Sequence, residues 1–246
     1  VSDRKPVPVP AQQLLPPLPL GRLNALSWGQ ASAAVVGVCA LLMLFIDHPL
    51  ALALKAGVPP GLMAVGHALS TIGEASWWYL LAGGGMVVCL GAAHRARARA
   101  TERLWFQRAR AFVFLFAVLV SSGLVVTLLK GVIGRARPRL LFADGTTGFF
   151  PFAFASNYNA FPSGHSQVIW AAMATLALFM PRWRVGFLGV ALLVSLSRIL
   201  VTAHFLSDVV MGAALGLGTV LIARRFAEAG DPALGGGPLP CFLPRA

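Results

Sequence analysis

The sequence predicts an all-α protein, a polytopic membrane helix bundle with six transmembrane helices. Composition and patterning carry that expectation. Hydrophobic residues fill 57% of the 246 positions and charged residues only 11%, with mean hydropathy +0.76; a soluble globular domain of this length is far more polar. The apolar residues are gathered into runs about as long as a helix needs to cross a hydrocarbon core of roughly 30 Å. Turn residues and arginines separate the runs, and no internal repeat is present.

Residues 1–26 hold six prolines between Pro6 and Pro19 and read as a flexible, Pro-rich cytoplasmic tail. They lack an apolar core of signal-peptide length. The first span covers 27–46 and closes at Asp47. The following segment, 47–75, is divided by Pro59-Pro60-Gly61, and Leu62 to Ile72 suit a short amphipathic helix at the membrane surface. His48, His67 and Glu74 in this segment read as interfacial residues without chemistry. Trp77 and Trp78 suit an interface belt at the start of the second span, 76–93. An arginine-rich loop, 94–110, leads to the third span, 111–129. The remaining spans are 165–180, ended by Pro181, then 185–203 and 208–223. Residues 27–225 thus form the membrane domain, and 226–246, with Gly235-Gly236-Gly237 and four prolines, form a flexible cytoplasmic tail.

The formal charge is +12. In a soluble protein that balance points to nucleic acid. Here the arginines cluster in short loops between apolar runs, which marks membrane sidedness instead, and no nucleic-acid partner is expected. With six spans, the loop 94–110, the pair Arg182 and Arg184, and the pair Arg224 and Arg225 all fall on one side. Arg4, Lys5 and Arg22 join them. Both termini are therefore expected in the cytoplasm, with the opposite face toward the periplasm or cell exterior. The basic stretch from Lys130 to Arg139 breaks this rule by falling on the outer side, where charge is retained for function. Cys39, Cys89 and Cys241 have no ligand or pairing spacing, so neither a zinc site nor a disulfide framework is implied.

Three clusters carry chemistry. In Lys130-x6-Arg137-Pro138, a guanidinium can grip two phosphate oxygens while the ammonium acts as a movable point charge. Arg135 and Arg139 flank the pair and raise the local potential without touching the ligand. In Pro162-Ser163-Gly164-His165, the free amides of a helix start form an anion site. Ser163 can donate its hydroxyl to a phosphate oxygen or serve as a plain N-cap, and His165 is placed to act as a general acid. In Ser197-Arg198-x5-His204-x3-Asp208, Arg198 is a cation in an apolar setting that needs an anionic partner. His204 and Asp208 stand four apart, close enough for the carboxylate to accept the imidazole Nδ1 proton and leave Nε2 to attack. A metal is the alternative reading of the His-x3-Asp pair, but further carboxylates are lacking nearby.

In order and spacing these clusters resemble the full three-part signature of the type-2 phosphatidic acid phosphatase superfamily, which also includes vanadium haloperoxidases. The likeness in motifs spans about 130–208, and the six-span layout extends it over roughly 27–225. The resemblance implies a helical membrane bundle and a phosphatase working without a metal or other cofactor. It also implies that His204 forms a phosphohistidine, Asp208 orients it and His165 protonates the leaving oxygen. Lys130, Arg137, Ser163, Gly164 and Arg198 would hold the phosphate. The substrate expected is a lipid phosphate monoester or pyrophosphate of the bilayer, of phosphatidic acid, phosphatidylglycerol phosphate, undecaprenyl pyrophosphate or lipid A type, met at the outer face of the inner membrane. Seven aromatic residues between Phe142 and Phe161 can pack against acyl chains or a glycan, or anchor the loop 140–161. The competing readings are a non-catalytic lipid-phosphate-binding or transport protein and a vanadate-dependent haloperoxidase. Oligomeric state leaves no trace in the sequence.

Overall fold

The computed structural model describes residues 27–229; the expected tails 1–26 and 230–246 lie outside them. Nine α-helices follow one another among the described residues: α1 Trp28–Phe45, α2 Asp47–Gly57, α3 Pro60–Ile72, α4 Ala75–Arg95, α5 Arg99–Ile133, α6 Pro138–Asp144, α7 Gly164–Phe179, α8 Arg184–Leu200 and α9 Leu206–Ala229. The only β pairing described is an isolated one between Arg135 and Phe149.

All six expected spans are helices. Five helical stretches are long and apolar enough to cross a membrane: Trp28–Phe45, Pro60–Arg95, Arg99–Ile133, Pro181–Leu200 and Leu206–Ala229. The sixth, α7, has 16 residues and is about 24 Å long at 1.5 Å per residue. Its position explains the shortness. α7 packs against α5, α8 and α9, and ten of its residues, from Ser166 to Phe179, are buried. A helix enclosed by protein need not match the lipid thickness at both ends, so its N-terminus can stop below the surface.

The core runs through Val118, Leu119, Ile169, Ala172, Val194 and Val220, supplied by α5, α7, α8 and α9. Outward faces are apolar as well: Val36, Leu44, Leu80, Val87, Leu124 and Val185 are all exposed. A continuous apolar exterior has lipid, not water, as its solvent. The protein is a multi-pass membrane bundle.

Two boundaries differ from expectation. The arginine-rich stretch 94–110 is not a loop: α5 begins at Arg99 and runs 35 residues to Ile133. Ala, Arg, Leu, Glu and Gln in this stretch are strong helix formers with no Gly or Pro to interrupt them, so charge marks the membrane side without breaking the helix. At the other end α9 continues to Ala229, into the stretch expected as tail. Between the first two long helices, Pro59-Pro60-Gly61 separates α2 from α3 as expected, with Pro60 at the helix start.

Candidate active site

The site grows from the end of α5. Lys130 sits in its last turn, and the helix stops at Gly134, whose φ of 61° lies in the left-handed region. A Cβ there would collide with the Phe150 carbonyl oxygen, so this turn requires glycine. The loop 145–161 then folds back along residues 134–137. Phe150 N donates to Gly134 O at 2.8 Å, Arg137 N to Asn157 O at 2.9 Å and Ala160 N to Arg135 O at 3.1 Å. Arg137 is the N-cap of α6, with Pro138 in the first turn. Its Nε donates to Asn159 Oδ1 at 2.8 Å, which fixes the plane of the guanidinium.

Ser163 caps α7. It is fully buried, and its Oγ accepts from Ser166 N at 3.5 Å and Ser166 Oγ at 3.2 Å. Capping is therefore a role the geometry displays directly. The amides of Gly164 and His165, at the first two helical positions, have no acceptor within the helix; the half-buried Lys130 is close to this helix start, since a Cβ on Gly164 would lie 3.6 Å from its Nζ. His165 is half-buried, its ring close to Gly73 at the end of α3.

What brings α9 to this helix start is a pair of glycines four apart. A Cβ on Gly212 would collide with Ser163 O, and one on Gly216 with Gln167 O. Small residues at this spacing let two helix backbones touch. The close approach allows Ser163 N to donate to Asp208 O at 2.9 Å, tying the second cluster to the third.

The turn between α8 and α9 presents His204. Ala203 N and His204 N both donate to Arg198 O, at 3.1 and 3.3 Å, so Arg198 and His204 share one turn. His204 is 3% exposed. Its Nδ1 lies 2.8 Å from Ala160 O and 3.5 Å from Asp208 Oδ2. A carbonyl oxygen only accepts, so Nδ1 carries the proton and Nε2 keeps its lone pair. Asp208 does stand beside this nitrogen as expected, and the Ala160 peptide oxygen is a second, closer acceptor that the sequence did not announce. Burial pushes the His204 pKa down to about 4, with Arg137 and Lys130 adding to the effect and Asp208 opposing it.

Asp208 itself is completely buried and held from two sides. Oδ2 accepts from Phe205 N at 2.8 Å, and Oδ1 accepts from Arg135 Nη1. Arg135 also donates to Ser207 Oγ at 2.6 Å and to Asp47 Oδ2 at 2.8 Å. Arg135 is thus 6% exposed and joined to two carboxylates, partners that the sequence did not reveal. Arg139 does remain exposed, with Nη2 3.1 Å from Ser156 Oγ.

Arg198 is different. Its Nε is buried without a hydrogen-bond partner, and it stands within electrostatic reach of Arg137. A buried unpaired donor is costly; the Glu74 carboxylate is within electrostatic reach of Arg198 as well, and a bound anion would offset the remaining excess of cations. Beside Lys130, Gly164 and His165, a cleft of about 750 Å³ runs along α4, α5 and α7 past Tyr79, Phe116 and Leu124.

The structure thus brings Lys130, Arg137, Ser163, Gly164, His165, Arg198, His204 and Asp208 to one end of the bundle. Sequence reasoning missed Asp47, Ala160 and Ser207, and with them the ion pairs of Arg135. Asp47 did leave a signal: it is one of only eight acidic residues and directly follows an apolar span, where a carboxylate needs a partner. The Gly212-x3-Gly216 spacing was likewise legible. Ala160 left none, because it acts through its backbone.

Residues 111–230 match the family described as the PAP2 superfamily, a stretch that contains all three clusters. A lipid A 1-phosphatase from Rhizobium etli is 33% identical over 196 residues, covering 78% of this chain and 81% of that protein. A lipid A 1-phosphatase from Rhizobium johnstonii is 35% identical over 211 residues, 83% of each. Among solved structures, a transmembrane PAP2 type phosphatidylglycerolphosphate phosphatase from Bacillus subtilis shares the fold. Its TM-score is 0.59 at 21% identity, over 81% of this chain and 94% of that one.

Proposed function

Since the chain belongs to the PAP2 superfamily, we propose that it is a membrane lipid phosphatase that hydrolyses lipid A 1-phosphate through a phosphohistidine at the outer face of the inner membrane. The choice of substrate is supported by the two relatives, each a lipid A 1-phosphatase sharing about a third of its aligned residues with this chain. The single observation that carries the chemistry is His204, buried and neutral, with Nδ1 held by Ala160 O so that Nε2 is available as nucleophile.

The phosphate lies among Lys130, Arg137, Arg198, the Ser163 hydroxyl and the amides at the start of α7. These donors stabilise charge on the equatorial oxygens in the transition state. His204 Nε2 attacks phosphorus and the bond to the ester oxygen breaks; His165, which takes up a proton once the anionic phosphate oxygens lie among the surrounding cations, gives that proton to the leaving oxygen. Water then attacks the phosphohistidine, His165 takes a proton from the water, and the P–N bond breaks to release phosphate. The apolar cleft along α4, α5 and α7 suits an acyl chain beside the site. No metal takes part in these steps.

Release of inorganic phosphate by detergent-purified protein, from a panel of lipid A, phosphatidic acid, phosphatidylglycerol phosphate and undecaprenyl pyrophosphate, tests the proposal. The expected result is preference for the 1-phosphate of lipid A, loss in His204→Ala, inhibition by orthovanadate and indifference to chelators. Absence of phosphate release from every lipid would favour a non-catalytic anion-binding protein, and halide oxidation dependent on added vanadate would favour a haloperoxidase. Orientation is tested with a membrane-impermeant thiol reagent on whole cells. Cysteine at exposed Phe154 should react, and cysteine at exposed Arg97 should not.

A further inference from the structure

Arg135 occupies an unusual place relative to His204. Its guanidinium is shared between two buried carboxylates, Asp208 on α9 and Asp47 at the start of α2. Phe205 lies 4.4 Å and Phe149 5.8 Å from its Cζ, so the plane is held by rings as well as by ions. Its backbone carbonyl takes the Ala160 amide at 3.1 Å, and the carbonyl of that same Ala160 takes His204 Nδ1. One residue therefore holds both neighbours of the imidazole: the carboxylate through its side chain and the peptide through its main chain.

Asp47 completes the arrangement. Its Oδ1 accepts from Ser207 N at 3.1 Å, and its Oδ2 accepts from the Ser207 hydroxyl and from Arg135. Ser207 lies in the first turn of α9, where amides lack intrahelical acceptors, so a carboxylate from α2 caps a distant helix. Asp47 and Asp208 are 2% and 0% exposed. A carboxylate so deeply buried is costly without a paired cation, and Arg135 lies between the two.

We propose that Arg135, braced by Asp47, is a positioning residue for the nucleophile: it keeps Asp208 ionised and oriented beside His204 and aligns the Ala160 carbonyl that selects the imidazole tautomer. It does not bind the phosphate. A guanidinium is required because only its planar fork reaches both carboxylates at once. The inference rests on His204 being the nucleophile, as argued above.

The test compares wild type with Arg135→Lys, Arg135→Gln and Asp47→Asn, purified in detergent and matched by thermal unfolding, with 1-phosphorylated lipid A as substrate. Arg135→Lys should lower kcat about 10- to 100-fold and Arg135→Gln about 1000-fold, with KM and inhibition by inorganic phosphate changed less than about threefold. Independently of turnover, nitrogen-15 spectra of the histidines should show a single Nδ1–H tautomer of His204 in wild type and a mixture in Arg135→Gln. If the wild type releases no phosphate yet the tautomer shift is seen, the functional reading falls and the positioning role stands. Unchanged kcat and an unchanged His204 signal in both Arg135 variants would overturn it, as would a rise in KM and weaker phosphate inhibition at constant kcat. Should neither Arg135 variant fold, Asp47→Asn decides: about tenfold lower kcat at constant KM supports the role, and unaltered kcat refutes it.

Discussion

His204 Nδ1 lies 2.8 Å from the carbonyl oxygen of Ala160 and 3.5 Å from Asp208 Oδ2, so a peptide oxygen is the nearer of two acceptors. In hydrolase triads one carboxylate both fixes the tautomer and stabilises charge on the ring. Under the function proposed above, Ala160 takes the first role and Asp208 the second.

That division predicts a modest cost for Asp208→Asn. In a triad whose carboxylate fixes the tautomer, the corresponding change costs about 10⁴-fold in kcat. With Ala160 still accepting from Nδ1, Asp208→Asn should lose only about 100-fold, well short of His204→Ala. Steady-state kcat for the two variants decides this, and equal losses would show that Asp208 alone governs the ring.

The second prediction concerns protonation. Burial of His204 takes its pKa to about 4, below the ordinary value of about 6.5. A depressed histidine pKa means the neutral form persists as pH falls through the usual range, and the nucleophile is lost only near pH 4. Nitrogen-15 titration of His204 should therefore show no midpoint between pH 5 and 8. A midpoint near 6.5 would contradict the buried, carbonyl-bonded geometry.

Helix contact supplies the third. Gly212→Ala forces a methyl group onto Ser163 O, and Gly216→Ala forces one onto Gln167 O, so α9 must move off α7. Overpacking of this kind costs about 1–3 kcal/mol, and Gly212→Ala should also lower activity by loosening the bond between Ser163 N and Asp208 O. Gly218, with open space around it, is the control: Gly218→Ala should melt no lower than wild type. Thermal unfolding and turnover of the three variants check the contrast.

Arg198 leads to the fourth. Its buried, unpartnered Nε should cost about 1–3 kcal/mol in the absence of an anion. Arg198→Met is expected to unfold at a higher temperature than wild type without phosphate, yet to be inactive. Saturating inorganic phosphate should raise the melting temperature of wild type and leave Arg198→Met unmoved. A variant stabilised by phosphate as much as wild type would remove Arg198 from the anion site.

Much of this protein was legible in its sequence because membrane physics writes in long, repetitive characters. The six apolar stretches became six helices, and Pro59-Pro60-Gly61 separated α2 from α3 where expected. The arginine-rich stretch 94–110 misled in one respect: charge reports which side of the membrane a segment prefers, while helix propensity decides whether it is a loop. Most residues of the three clusters were also visible, because phosphate chemistry needs particular side chains at particular spacings.

Composition and spacing by themselves determined that this is an apolar helical bundle, and they singled out two histidines, an aspartate and a set of cations in three short motifs. Tertiary structure alone decided who holds whom. Ala160 reaches His204 across 44 residues of chain, Arg135 reaches Asp208 across 73, and Asp47 reaches Ser207 across 160. Contacts over such separations depend on how closely helices pack and where a loop folds back, set here by Gly212, Gly216 and Gly134. A backbone carbonyl is present in every residue, so nothing in the identity of Ala160 announces its role; only the fold places it beneath the imidazole.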